Sequence, residues 1–197
     1  AKAVLHVWFP GTEGGNAIAD VLFGDQEPGG RLAMCFPYTV GQVPVYYSEL
    51  HTGRRRPEGE ITPRGVSGYL DAPNHPLYAF GYGLTYTSFA YSEVSLSSEI
   101  MTREENLTAK IMVQNTGNRA GTEVVQLYIR DVAGSVARPV RELKGFQRIA
   151  MQPGESREVT FEITEEMLRF YNIDMEYVAE PGRFEVYIGE SSDAEQK

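Results

Sequence analysis

The sequence is poor in the residues that build metal centres and covalent cross-links. One cysteine, Cys35, stands among 197 residues, with three histidines and a single tryptophan. A lone cysteine excludes an intramolecular disulfide framework and any multi-cysteine metal site. His6, His51 and His75 have neither metal-ligand spacing nor a cysteine partner, so they read as core or surface residues and no metal is expected. No apolar run approaches the roughly 18 residues of a spanning helix. Basic charge is also short: 18 Lys and Arg face 27 Asp and Glu, a net charge of −9. A nucleic-acid binder needs a basic footprint, so that partner class is not expected. Hydrophobic residues make up 42% of the chain, enough for a packed core rather than disorder.

The chain opens with Ala1-Lys-Ala-Val-Leu-His-Val-Trp-Phe9, without Met and without the basic start and apolar stretch of a leader. Val4 to Phe9 reads as a buried strand, and an opening inside such an element predicts a piece of a longer protein. Pro10-Gly-Thr-Glu-Gly-Gly15 follows as a turn, then a helix over Asn16 to Phe23. Ala17, Ile18, Val21 and Leu22 share one helical face, and Gly24 is the stop. Strand, turn and helix make one piece of an α/β layer, which cannot cover its own sheet; the rest of that layer is expected upstream. The Gly-rich turn invites a nucleotide reading, because helix N-termini favour phosphate. Gly11, Gly14 and Gly15 do not fit G-x-G-x-x-G, however, and Gly81-Tyr-Gly-Leu-Thr-Tyr86 fails as well. No cofactor is expected.

Beyond residue 92 the pattern changes to alternating strands. Leu107 to Val113, Val124 to Ile129, Val140 to Phe146, Val159 to Ile163 and Phe184 to Ile188 each alternate apolar and polar residues. Such alternation puts one face in a core and the other in water. Turns at Asn115-Thr-Gly-Asn, Gln152-Pro-Gly-Glu and Glu180-Pro-Gly-Arg separate the strands. Together they predict a small antiparallel β-sandwich that folds from about residue 93 to the end.

Several blocks in order carry a family resemblance. Trp8-Phe-Pro-Gly-Thr-Glu-Gly-Gly-Asn-Ala-Ile-Ala-Asp-Val-Leu-Phe-Gly-Asp25 continues through Pro28-Gly-Gly-Arg-Leu, Phe36-Pro, Val40-Gly-Gln-Val-Pro-Val-Tyr-Tyr47 and Pro76-Leu-Tyr-Ala-Phe-Gly-Tyr-Gly-Leu-Thr-Tyr-Thr-Ser-Phe89. Arg138-Pro-Val-Arg-Glu-Leu-Lys-Gly-Phe146, Pro153-Gly-Glu and Pro181-Gly-Arg-Phe extend it into the β part. These blocks resemble the late part of glycoside hydrolase family 3 enzymes, the β-glucosidases and β-xylosidases, and above all bacterial periplasmic members. Ala33-Met-Cys35 departs from the usual pattern at no catalytic position. The resemblance implies the end of an α/β sandwich domain over residues 1–60, a connector over 61–92 and a fibronectin type III-like β-sandwich over 93–197. It also implies a periplasmic or extracellular location, with an upstream barrel and α/β sandwich as partners. A β-linked glucoside would be the substrate of the parent enzyme.

The same resemblance places the nucleophilic Asp in the barrel and the acid/base Glu ahead of the Pro10-Gly-Thr-Glu13 block, so no residue here matches either. Chemistry agrees, since a retaining glycosidase needs two carboxylates about 5–5.5 Å apart. Glu13 is the one tempting acid; a place at the helix N-terminus, favoured by the macrodipole, is the stronger reading. Cys35, in an apolar stretch without a nearby His, reads as an inert buried thiol. Arg54, Arg55 and Arg56 form a basic cluster read as a solvated loop, with an anion or domain contact as the sharper option. Tyr46, Tyr47, Tyr69, Tyr78, Tyr82 and Tyr86 crowd one region and read as domain packing rather than sugar stacking. Asn106-Leu-Thr is a formal glycosylation sequon. No catalytic residue is therefore assigned. Two functions remain: the structural C-terminal portion of a β-glucosidase-type hydrolase, or an autonomous β-sandwich binding module for carbohydrate or a cell-surface partner. A binding module requires exposed aromatics on one sheet face, whereas Tyr128 and Tyr187 read as core filling. The apolar 1–60 segment further predicts cover from outside the chain, with self-association through it as one form.

Overall fold

The computed structural model describes residues 2–54 and 67–194. Arg55, Arg56 and the start of the expected connector lie outside them.

The chain is mostly β, and its sheets are antiparallel. One sheet is built on β3 (Leu107–Asn115). The short strands β1 (Phe89–Tyr91) and β2 (Ser95–Leu96) line one edge of β3, and β6 (Ser156–Ile163) pairs along the other. The second sheet has β4 (Gly121–Asp131) between β5 (Glu142–Met151) and β9 (Phe184–Gly189), with a bulge at Leu127/Tyr128. Period-2 alternation sends Ala109, Ile111 and Val113 of β3 and Val159 and Phe161 of β6 inward. They meet Val125, Leu127 and Ile129 of β4 and Ile149 and Met151 of β5. Each large side chain so buried contributes roughly 1.5–3 kcal/mol.

Between β6 and β9 lie a short helix, α2 (Glu165–Leu168), and a hairpin of β7 (Phe170–Tyr171) and β8 (Tyr177–Val178). These elements are too short for a period to register in the sequence. Strand β1 falls inside the stretch expected to be connector, and its Phe89 and Tyr91 pack against the core. Of the three expected turn glycines, only Gly154 takes positive φ, at 76°. Gly117 is needed for space instead: a Cβ there would come 2.2 Å from Thr87 Oγ1.

The helix α1, earlier expected over 16–23, runs Gly14–Phe23 and ends on Gly24 at φ 83°, a left-handed stop that glycine adopts without a side-chain clash. The strand expected over Val4 to Phe9 does not form, and those residues are exposed. A strand is held by ladder hydrogen bonds to a neighbour, and no described segment pairs with this one.

Strand β4 is buried on both faces. Its Val125, Leu127 and Ile129 look into the core, while Val124, Gln126 and Tyr128 are buried beneath the chain that precedes the sandwich. That cover includes two irregular stretches bonded to each other: Leu32 N–H to Tyr82 O at 2.9 Å, Gly81 N–H to Leu32 O at 2.8 Å and Phe36 N–H to Tyr78 O at 2.8 Å. The first segment and the sandwich therefore share an interior.

Candidate functional site

Several buried polar groups collect at this junction, Glu123 and Gln126 among them. Arg31 reaches 3.0 Å from Glu123 Oε2, with 8% and 2% of the two side chains exposed. Tyr91 donates its hydroxyl to Glu123 Oε1 at 3.0 Å. Burial, then the charge of Glu123, push the Tyr91 phenol far above its ordinary range, so it remains a donor at any physiological pH. Glu27 lies alongside and accepts a hydrogen bond from Thr122 N–H. Burial raises its pKa, against the opposing pull of that hydrogen bond and of Arg31.

On the outer face of β4, Tyr128 donates to Gln126 Oε1 at 2.6 Å, and Gln126 Nε2 donates to Glu190 O at 2.6 Å and Gly81 O at 3.2 Å. Tyr47 stacks on Phe80 with centroids 4.3 Å apart and meets Tyr128 edge-on at 5.9 Å. Tyr78 stacks on Tyr82, and Tyr86 donates to the Val21 carbonyl of α1. The crowded tyrosines thus pack one part of the chain on another. Tyr46 alone of that set is largely exposed.

The other sequence candidates do not converge. Glu13 is the N-cap residue of α1 and accepts from Asn16 Nδ2 at 2.8 Å rather than from a backbone N–H. His6 packs edge-on to Trp8 and Phe36, His75 edge-on to Tyr38, and His51 accepts from Gly53 N–H at 3.1 Å. Among the described residues no group of His, Cys, Asp or Glu could hold a metal ion. Cys35 is buried, and burial raises its thiol pKa, as an inert thiol requires. Asn106 donates to Glu162 Oε1 at 2.6 Å. Tyr128 and Tyr187 are buried, so neither is presented to solvent, although Tyr128 is covered by the preceding chain and does not face the sandwich core.

Two clefts flank His51. One, of about 360 Å³, is walled by the loop from Arg130 to Val140; the other, of about 330 Å³, by Glu49 to Thr52, Ser67 to Tyr69 and Asn74. Arg138 spans the first loop, 3.3 Å from Asp131 and 2.9 Å from Glu142.

Sequence reasoning missed the aromatic pair Tyr171 and Tyr177, which the β7–β8 hairpin places side by side in solvent. A run of two residues per strand carries no readable alternation. Their spacing of six around Asn172-Ile-Asp-Met-Glu176 was the available signal.

Residues 1–86 match the glycosyl hydrolase family 3 C-terminal domain, and residues 123–192 match the fibronectin type III-like domain. The chain belongs to glycosyl hydrolase family 3, in its C-terminal region. Within this family it is 54% identical over 193 residues to the periplasmic beta-glucosidase of Salmonella typhimurium, covering 98% of this chain and 25% of that protein. A putative beta-xylosidase of Formosa agariphila is 42% identical, with 98% of this chain and 24% of that protein covered. The crystal structure of a beta-glucosidase from Listeria innocua in complex with glucose superposes with a TM-score of 0.89 at 46% identity, over 96% of this chain and 26% of that one. The chain thus spans about a quarter of the length of the curated relatives it matches. The family resemblance read from the motif blocks holds, and so does the mostly β fold with a fibronectin type III-like sandwich.

Proposed function

We propose that this family 3 region is a structural brace in a retaining, β-glucoside-cleaving hydrolase, and that it supplies neither of the two catalytic carboxylates. One observation carries this reading: an apolar surface left bare beside a tightly locked junction. Phe9 is 99% exposed and Phe23 84%, with Val4, Trp8 and Leu22 also largely in solvent. Monomers rarely expose contiguous apolar patches beyond a few hundred Å², and larger ones mark interfaces. The rest of the α/β layer and a barrel are the partners this face suits; pairing of two copies through residues 1–60 is the second form of cover. The name of the Salmonella relative supports a periplasmic location.

The division proposed is an α/β remnant over about 1–60, a connector over 61–92 and a sandwich over 93–197, with β1 joining the sandwich from the connector's end. Aryl β-glucoside hydrolysis by the purified 197-residue chain tests the assignment. No turnover is expected, because double displacement cannot run without a nucleophile and an acid. Steady turnover that disappears in Glu13→Gln would overturn it.

A further inference from the structure

We propose that the β7–β8 hairpin is a carbohydrate-stacking site, in which Tyr171 and Tyr177 seat one pyranose ring of a neutral β-linked oligosaccharide. Tyr171 and Tyr177 are directly opposed across the two strands. Their ring centroids lie 5.1 Å apart with planes 46° from each other, so the two rings pack side by side as one tilted aromatic platform. They are 62% and 49% exposed. Aromatic side chains with a polar tip suit a ligand that is apolar on its faces and hydroxylated at its edge. A β-glucosyl or β-xylosyl ring is such a ligand, since its equatorial hydroxyls leave axial C–H groups on both faces.

The hairpin is held ready. On its opposite face Phe170 is buried with the Arg138 guanidinium 4.0 Å from its ring centroid. At the tip, Asn172 Oδ1 accepts from Asp174 N–H at 3.0 Å and Glu176 N–H at 2.9 Å, while Asn172 N–H donates to Glu176 O at 3.0 Å. Met175 closes the turn at φ 62°, a conformation disfavoured for a residue with a Cβ, and its side chain and that of Ile173 are exposed. A fixed platform loses little conformational freedom when a ligand seats on it.

Charge selects among occupants. Asp174 and Glu176 ride on the same hairpin, and the chain carries a net −9. Anionic polymers and a second copy of this hairpin are therefore repelled, whereas a neutral polyol is not, and carboxylates accept hydrogen bonds from its hydroxyls. The choice of a β-linked ligand rests on the reading of the chain as part of a glycoside-cleaving enzyme.

The test is calorimetric or NMR titration of the 197-residue chain with cellopentaose and xylopentaose. Weak binding is expected, falling about five- to tenfold in Tyr171→Ala and in Tyr177→Ala. The corresponding Phe variants, which keep the rings, should bind within about twofold of the parent. Both positions are exposed, and unchanged melting temperatures verify that the variants fold. Absence of binding, binding indifferent to both Ala variants, equal loss in the Phe variants, or equal affinity for polygalacturonate would each overturn the proposal. So would dimerisation that the Ala variants abolish, which would make the hairpin a contact between copies. Turnover of an aryl glucoside is a separate readout, so failure of the brace reading is told apart from failure of this one.

Discussion

Arg31 and Glu123 stand 92 positions apart in the sequence and 3.0 Å apart in the fold, with almost none of either side chain in water. Their pairing pins the first segment to the end of the sandwich core. Breaking a buried pair from one side leaves an uncompensated charge, which costs about 3–5 kcal/mol. Arg31→Met is expected to destabilise the chain by that amount in urea melts. Arg31→Met combined with Glu123→Leu should recover part of the loss, since the pair's own charges both go, while the Tyr91 hydroxyl loses its acceptor and Glu27 its neighbouring cation. If the double variant is as unstable as the sum of the single ones, the pairing is not what holds the junction.

Glu27 gives the junction a dependence on pH. Its folded pKa is raised above the ordinary 4.5, chiefly by burial. A raised carboxylate pKa contributes stability that is fully present below the ordinary value and lost as pH rises through the folded one. Glu27→Gln removes this term while keeping an acceptor for Thr122 N–H. Relative to the parent, the Gln variant should therefore gain stability as pH goes from about 4 to 7. A pH-independent difference between the two melting curves would contradict the burial argument.

Gly81 cannot accept a side chain. Its φ is 81°, and a Cβ would lie 2.1 Å from Oε1 of the buried Gln126. Gly81→Ala is expected to cost about 3 kcal/mol, from backbone strain and from displacement of the amide. Adding Gln126→Ala relieves the clash but not the strain, so it should moderate the Gly81→Ala defect only in part. Thermal melts of the single variants and the double variant separate the two contributions.

The bare apolar face has a behaviour of its own. The chain should self-associate in light scattering and bind an apolar dye, and Phe9→Ser with Phe23→Ser should weaken both. Because neither ring is buried, the double variant should fold with stability within about 0.5 kcal/mol of the parent. A parent that scatters as a clean monomer without dye binding would mean that the connector covers this face in solution.

The long strands were legible because Leu107 to Val113 and Val159 to Ile163 follow a strict two-residue period, and α1 because its apolar face and Gly24 agree on one helix. The stretch from Val4 to Phe9 misled for a physical reason. Its composition describes a strand inside a sheet, but the ladder partner that would make it one is not among the described residues. The junction was legible only as a crowd of tyrosines. Arg31, Glu123 and Gln126 are separated by too many positions for any local pattern to join them, and a buried Glu in an alternating strand looks like a solvated one. Tyr171 and Tyr177 escaped because two-residue strands leave no period.

Because β4 is walled in on both sides, the sandwich is less portable than its family boundary suggests. Lifted out from residue 93 and fused elsewhere, it would leave behind Tyr47, which meets Tyr128 edge-on, and Phe80, on which Tyr47 stacks, together with the Gly81 carbonyl that accepts from Gln126. The exported domain would then show water a patch made of phenol, amide and valine that evolved under cover. A donor of this module for protein engineering should therefore hand over the strip around Leu32 and Tyr78–Tyr82 with it, although that strip belongs by sequence to the neighbouring domain.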